Sequence, residues 1–219
     1  MKQFIKNIAP EVEITVAEDW MWDREAYPEE EAYITRAVEK RKREFRAGRH
    51  SAHSVLRHFG IEDFPVKVGH HRQPLWPQNI IGSISHTDGF CACVATPRDS
   101  IISIGIDVEP MEKVDVASLP LICTRRELQS IEAYQPETAI PLCKLIFSAK
   151  ECVHKVYHPL NDHTLDFLDA EISFDIPGKR FTAKITNPEK RPRHPIKRLE
   201  GFFEVDDNYL FTLILKKKE

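Results

Sequence analysis

Apolar and polar positions alternate with period two in some stretches of this chain and recur at helical spacing in others. Val12, Ile14 and Val16 alternate with acids and threonine, which predicts a strand over residues 11–17. The aromatic WMWD patch at residues 20–23 reads as an anchored loop. Pro28 followed by Glu29, Glu30 and Glu31 is a helix start, with proline in the first turn and acids at the positive end of the dipole. That helix is expected to run to about Arg46 and to break or kink at Gly48. A second segment, RHSAHSVLRHF, then puts Ala52, Val55, Leu56 and Phe59 on one face and stops at Gly60. Pro74 and Pro77 mark a loop, after which residues 80–85 and 90–95 form a hairpin turned at Thr87, Asp88 and Gly89. The stretch SIGIDVEP, residues 103–110, opens as a strand.

The second half begins helical. Thr124 and Glu127, in TRRE, form a capping box for a short helix to about Ala133. Pro136 and Glu137 start a longer one, whose buried stripe is Leu142, Leu145, Ile146, Ala149, Val153, Val156 and Tyr157. Lys144, Ser148, Glu151 and Lys155 occupy a different face. Residues 170–175, 179–186, 201–206 and 209–215 then alternate as strands, with Asp207 and Asn208 in a tight turn. Residues 187–199, NPEKRPRHPIKRL, make a proline-broken basic loop. A chain of 219 residues with this order of elements is one large α+β domain or two halves of about 100 residues.

Charge changes this picture little. The 31 basic and 34 acidic residues nearly balance, which argues against a general nucleic-acid or membrane binder, so local patches must carry the electrostatics. The five cysteines are odd in number and contain no CxxC pair, the usage of a reducing compartment. The first residues lack the continuous apolar run of a signal peptide, and no segment approaches a membrane span, so a cytoplasmic location is expected.

The candidate chemistry centres on Asp107 and Glu109. Two apart on a strand, they share a face, and paired carboxylates repel unless a cation lies between them. This is a candidate oxygen-ligand site for a Mg²⁺-type ion, against the plainer reading of a strand running into an acidic turn. Glu151 supplies a third carboxylate and projects with Lys155 one turn away; the plainer reading is an exposed helix pair. Ser85 and His86 end the first hairpin strand, and His86 gains a role only if the Asp107 strand pairs with this hairpin, as adjacency predicts. Lys40, Arg41, Lys42, Arg43, Arg46, Arg49 and Arg57 concentrate base near the expected helix junction. Arg49, at that junction, is the candidate phosphate contact.

Four segments, KRKREFRAGRHSAHSVL, RQPLWPQNIIGSISHTDG, IGIDVEP and FSAKECVHKVY, occur in one order across residues 40–157. Together they resemble the Sfp-type 4′-phosphopantetheinyl transferases, in the enterobactin synthase component D-like branch that activates siderophore and polyketide synthases. The resemblance implies two similar α/β halves related by a pseudo-twofold, each a small mostly antiparallel sheet with packed helices. Residues 1–108 and 109–219 would be those halves, with coenzyme A in the cleft between them. It implies transfer of 4′-phosphopantetheine from coenzyme A to a serine of an acyl or peptidyl carrier protein, releasing adenosine 3′,5′-bisphosphate.

By motif position, Asp107, Glu109 and Glu151 match the family's ligands for Mg²⁺, with Mn²⁺ as its substitute. Ser85, His86 and Lys155 match phosphate contacts, Arg41 and Arg49 match anchors for the nucleotide end, and His71 with Arg72 matches a basic loop. Lys150 precedes the third acid as the family's lysine does. Glu151, Lys155 and His86 are the expected catalytic groups, with Glu151 or a metal-bound water accepting the serine proton. Two departures stand out: His53 replaces an arginine that contacts the 3′-phosphate, and Cys152 replaces a serine. A monomer acting without nucleic acid or membrane is expected. The alternatives are an idle coenzyme A or nucleotide-binding module and another Mg²⁺-dependent phosphoryl-transfer enzyme.

Overall fold

Ahead of the first alternating stretch, the residues KQFIKNI form a helix, α1 (Lys2–Ile8), with Ile5 buried. The computed structural model describes residues 1–112, 116–133, 142–188 and 192–218. It divides into one unit of residues 1–102 with the end of the chain and a second of residues 103–217. The helix start expected at Pro136 and Glu137 lies outside the described residues, as do Lys190 and Arg191 of the basic loop. Among the described residues no helix is long and apolar enough to cross a membrane.

In the first unit, β1 (Glu13–Val16) is followed by three helices, α2 (Trp20–Asp23), α3 (Pro28–Glu31) and α4 (Glu39–Arg57). The hairpin β2 (Ile80–Thr87) and β3 (Phe90–Pro97) completes a three-stranded antiparallel sheet in the order β1-β3-β2. Gly89 turns the hairpin at a φ of 70°, a conformation that costs glycine little. Ala52, Val55 and Leu56 of α4 pack on Val66, Ile80, Cys93 and Ala95. Two expectations are corrected here. The WMWD patch is the short helix α2 rather than a loop, because Met21 is drawn into the core. Gly48 does not break its helix: α4 runs through it for 19 residues, and the chain instead breaks between α3 and α4. The glycine serves close packing, since a Cβ there would stand 3.1 Å from Cγ2 of Ile84 on β2.

The second unit holds β4 (Ile101–Pro110), then α5 (Leu119–Ile122), α6 (Arg125–Ala133) and α7 (Leu142–Asn161). The strands β5 (Ala170–Asp175), β6 (Arg180–Ile185), β7 (Arg198–Val205) and β8 (Tyr209–Lys217) follow. They form a five-stranded sheet in the order β4-β8-β7-β6-β5. The strand carrying Asp107 therefore does not pair with the β2–β3 hairpin. Sequence adjacency gave way to pairing with β8 at the far end of the chain. The sheet is antiparallel from β5 to β8, and the TRRE box forms as read, Thr124 N–H donating to Glu127 at 2.6 Å. Helix α7 lies against the sheet with little clearance: a Cβ on Gly105 would meet the Cys152 carbonyl at 2.6 Å. Ser103 Oγ donates to the Val156 carbonyl at 3.1 Å, and Ser148 Oγ lies 2.8 Å from Thr212 Oγ1. In the basic loop, Arg193 pairs with Asp162 at 3.4 Å.

Each unit also buries one glutamate in the same internal role. In the first, the Glu30 carboxylate accepts from Tyr27 N–H at 3.1 Å and Val66 N–H at 2.6 Å, and lies 2.8 Å from His53 Nε2 of α4. In the second, Glu127 accepts from Thr124 N–H at 2.6 Å, Ile172 N–H at 2.7 Å and Lys150 Nζ of α7 at 2.7 Å. The two carboxylates are 0% and 1% exposed, so each can remain there only because its oxygens are saturated by donors. A short helix, a loop or strand and the long helix are thereby tied together in each unit.

Candidate active site

The close approach of α7 to β4 sets Glu151 and two lysines against the carboxylates of the strand. Lys155 Nζ donates to Asp107 Oδ1 at 2.8 Å and to the Ile106 carbonyl at 2.9 Å. Lys144 Nζ donates to Glu109 Oε2 at 3.3 Å. The Glu151 carboxylate accepts no hydrogen bond from the described residues. Burial, and then the charge of Asp107, hold the Glu109 carboxyl above the usual glutamate range, although Lys144 pulls it down. Burial also raises Glu151, opposed by Lys155 and reinforced by Asp107. Burial pulls Lys155 down, but Asp107, Cys152 and Glu151 together outweigh it and the ammonium is held more firmly than usual.

Three carboxylates thus face two lysines, and both glutamates resist ionisation. The charge a divalent cation would supply is the charge this cluster lacks. The donors are all carboxylate oxygens, which suits a hard ion of the Mg²⁺ or Mn²⁺ kind rather than a thiolate-seeking one. The residues fit such an ion.

Beside Glu151 lies a cavity of about 350 Å³ lined by Lys150, Glu151, Val153, His154, Leu165 and Phe167. Its wall is built on Lys150, whose Nζ donates to the Ile122 carbonyl at 2.7 Å, Glu127 at 2.7 Å and the Phe167 carbonyl at 2.8 Å. All three ammonium protons have internal acceptors in this arrangement, leaving none for a phosphate. Sequence gave Lys150 a place at coenzyme A; the structure turns it inward.

In the first unit the basic residues gather at the start of α4. Arg41 Nη1 lies 2.9 Å from His86 Nε2, and Glu44 lies 3.5 Å from Arg41 and 3.7 Å from His86 Nδ1. Arg49 is 6% exposed with its guanidinium 4.2 Å from the Phe45 ring centroid. Among the described residues its Nε has no hydrogen-bond partner. Burial lowers Arg49 to about 10, so it stays protonated at neutral pH, and a buried cation with an unused donor is suited to an anion.

Ser85 and His86 are neighbours on β2 and so project to opposite faces of the sheet, Ser85 being buried. His71 and Arg72 are exposed in the loop before β2, with Arg72 at a φ of 66°. His53, set by the resemblance where the family often carries an arginine, lies 2.8 Å from Glu30. Sequence reasoning passed over Lys144, Glu30 and Phe45 as site or support residues. For Lys144 the signal was present, since it shares the helix face of Glu151 and Lys155.

Comparison with known proteins identifies the family. Residues 29–96 match the family model of the 4′-phosphopantetheinyl transferase N-terminal domain, and residues 103–213 match that of the 4′-phosphopantetheinyl transferase superfamily. The chain is 35% identical to the 4′-phosphopantetheinyl transferase Svp of Streptomyces mobaraensis, over 80% of this chain and 71% of that one. It is 30% identical to PptT of Mycobacterium tuberculosis, over 86% of this chain and 85% of that one. Enterobactin synthase component D of Escherichia coli K12 is 36% identical over 64% of this chain and 66% of its own. The chain belongs to the 4′-phosphopantetheinyl transferase superfamily, the enzymes that transfer the 4′-phosphopantetheine group of coenzyme A to carrier proteins.

Proposed function

We propose that Asp107, Glu109 and Glu151 hold Mg²⁺, or Mn²⁺ in its place, and that the carrier serine is modified beside Glu151. The observation that carries this reading is that the charge of Asp107 on the edge strand acts on both Glu109 and Glu151, with the Glu151 carboxylate accepting no hydrogen bond from the described residues and Glu151 lining a cavity. Those three carboxylates would hold the divalent ion, which when bound would supply positive charge to the pyrophosphate of coenzyme A. The serine oxygen forms the new bond to the phosphorus that carries pantetheine. Adenosine 3′,5′-bisphosphate leaves with the bridging oxygen, and the serine proton passes to Glu151. A carboxyl held above the usual glutamate range is better matched to that proton than an ordinary one. Lys155, fixed by Asp107 and the Ile106 carbonyl, presents its charge to a phosphate, and the cavity takes the pantetheine arm.

At the nucleotide end, Arg49 and Arg41 contact phosphate, with His86 held by Arg41; Ser85, His71 and Arg72 are further phosphate contacts. The carrier is an acyl or peptidyl carrier protein, and the enzyme works as a cytoplasmic monomer without nucleic acid or membrane. The five cysteines, all free, fit a reducing compartment. Arg49→Ala is expected to weaken coenzyme A by roughly 1.5–3 kcal/mol, the value of a charge-assisted contact, and 3′-dephospho-coenzyme A far less. Calorimetric titration of both ligands into both proteins tests this. Equal losses for the two ligands would remove Arg49 from the 3′-phosphate.

A further inference from the structure

The two lysines at the carboxylate cluster are held very differently. Lys155 has two acceptors within 2.9 Å and sits between strand and helix. Lys144 reaches Glu109 at 3.3 Å, its one acceptor among the described residues, and its side chain is only 12% exposed. An ammonium withdrawn from water with one long hydrogen bond is weakly satisfied and can be released. Glu109, with its side chain 20% exposed, is held by the same contact. Lys144 therefore stands in for a cation at one arm of the cluster.

We infer that Lys144 is a built-in competitor of the divalent ion: it occupies Glu109 in the metal-free site, must release that carboxylate when metal binds, and so sets the metal affinity. The inference rests on reading Asp107, Glu109 and Glu151 as the metal site. Lys144 is a positioning residue and takes no part in bond making. Glu109 binds either the helix or the metal, and Lys144 sits on α7, which also carries Glu151. Filling the site thus exchanges one strand-to-helix contact for another.

The test is titration of Mn²⁺ alone into metal-free protein, without coenzyme A, reading free Mn²⁺ by electron paramagnetic resonance. Lys144→Met is expected to bind Mn²⁺ about tenfold more tightly than wild type, the order of one charge-assisted contact removed from competition. Lys144→Gln should do likewise, and gives a second route should the methionine variant fold poorly. Lys144→Arg, which keeps the charge, should stay within about twofold of wild type. Unchanged or weaker Mn²⁺ binding by both Lys144→Met and Lys144→Gln overturns the inference. Glu151→Gln separates the two levels of the reading. If it loses Mn²⁺ while the Lys144 variants match wild type, only the role of Lys144 falls. If wild type binds no Mn²⁺ that Glu151→Gln loses, the metal site falls and the inference with it.

Discussion

Glu151→Gln is expected to slow transfer roughly 10³-fold or more, the loss of a metal ligand and a proton acceptor at once, while making the metal-free protein more stable. The two effects share one cause. Glu151 is a half-buried carboxylate with no hydrogen bond from the described residues and with Asp107 nearby. The folded enzyme therefore carries a repulsion that the active site uses and the fold does not need.

The sign with pH follows from linkage. Because the folded value lies above the ordinary 4.5, the native state binds the proton more tightly than the unfolded chain does. The group's contribution to stability thus falls as pH rises from the ordinary glutamate value through the raised one. Glutamine does not titrate, so the advantage of the variant over wild type should widen with pH across that window and then level off. Saturating metal should abolish the advantage. Asp107→Ala should also stop transfer but without the stability gain, because it strands the half-buried Lys155 ammonium. Thermal melts in chelator at several pH values, beside single-turnover rates, check all of this. A Glu151→Gln enzyme near wild-type rate would contradict the assignment.

Lys150→Met should destabilise the second unit by about 3–5 kcal/mol, the cost of removing one member of a buried ion pair. Glu127 at 1% exposure would be left with only its two backbone donors. The carbonyls of Ile122 and Phe167 would lose their shared donor, loosening the wall of the cavity beside Glu151. Adding Glu127→Gln should recover most of the loss, because the amide oxygen can still accept from the backbone and no charge is stranded. Urea denaturation of the single and double variants reads this directly. A Lys150→Met protein of wild-type stability with weakened coenzyme A binding would instead return the residue to the ligand, where sequence resemblance placed it.

The reach of sequence reasoning can be judged at particular positions. Asp107 and Glu109 were legible because period-two alternation fixes which side chains share a face, and Glu151 with Lys155 because a helical turn does the same. The TRRE box was read correctly since its two hydrogen bonds are local. The four tail strands emerged from alternation alone. Gly48 misled because a glycine inside a helical pattern can mean a break or a close approach. Only the presence of Ile84 across the interface decides between them. The pairing of β4 misled for a related reason, since its partner β8 begins about a hundred residues later, at Tyr209. Lys150 and His53 stand at positions where their family likeness suggests phosphate. What they meet is a buried glutamate whose burial no local pattern announces. The shared glutamate arrangement in the two units became visible only when its donors were seen to come from three separate segments in each.

The most direct measurement is the intact mass of an apo acyl or peptidyl carrier protein after incubation with this enzyme, coenzyme A and Mg²⁺. The expected result is a carrier heavier by one phosphopantetheine group, with adenosine 3′,5′-bisphosphate in equal amount. Both products should vanish with chelator, return with Mg²⁺ or Mn²⁺, and be absent with Glu151→Gln. A panel of carriers of different pathways that all keep their apo mass, with an enzyme that binds coenzyme A normally, would contradict the transfer function. It would leave a coenzyme A-binding module in its place.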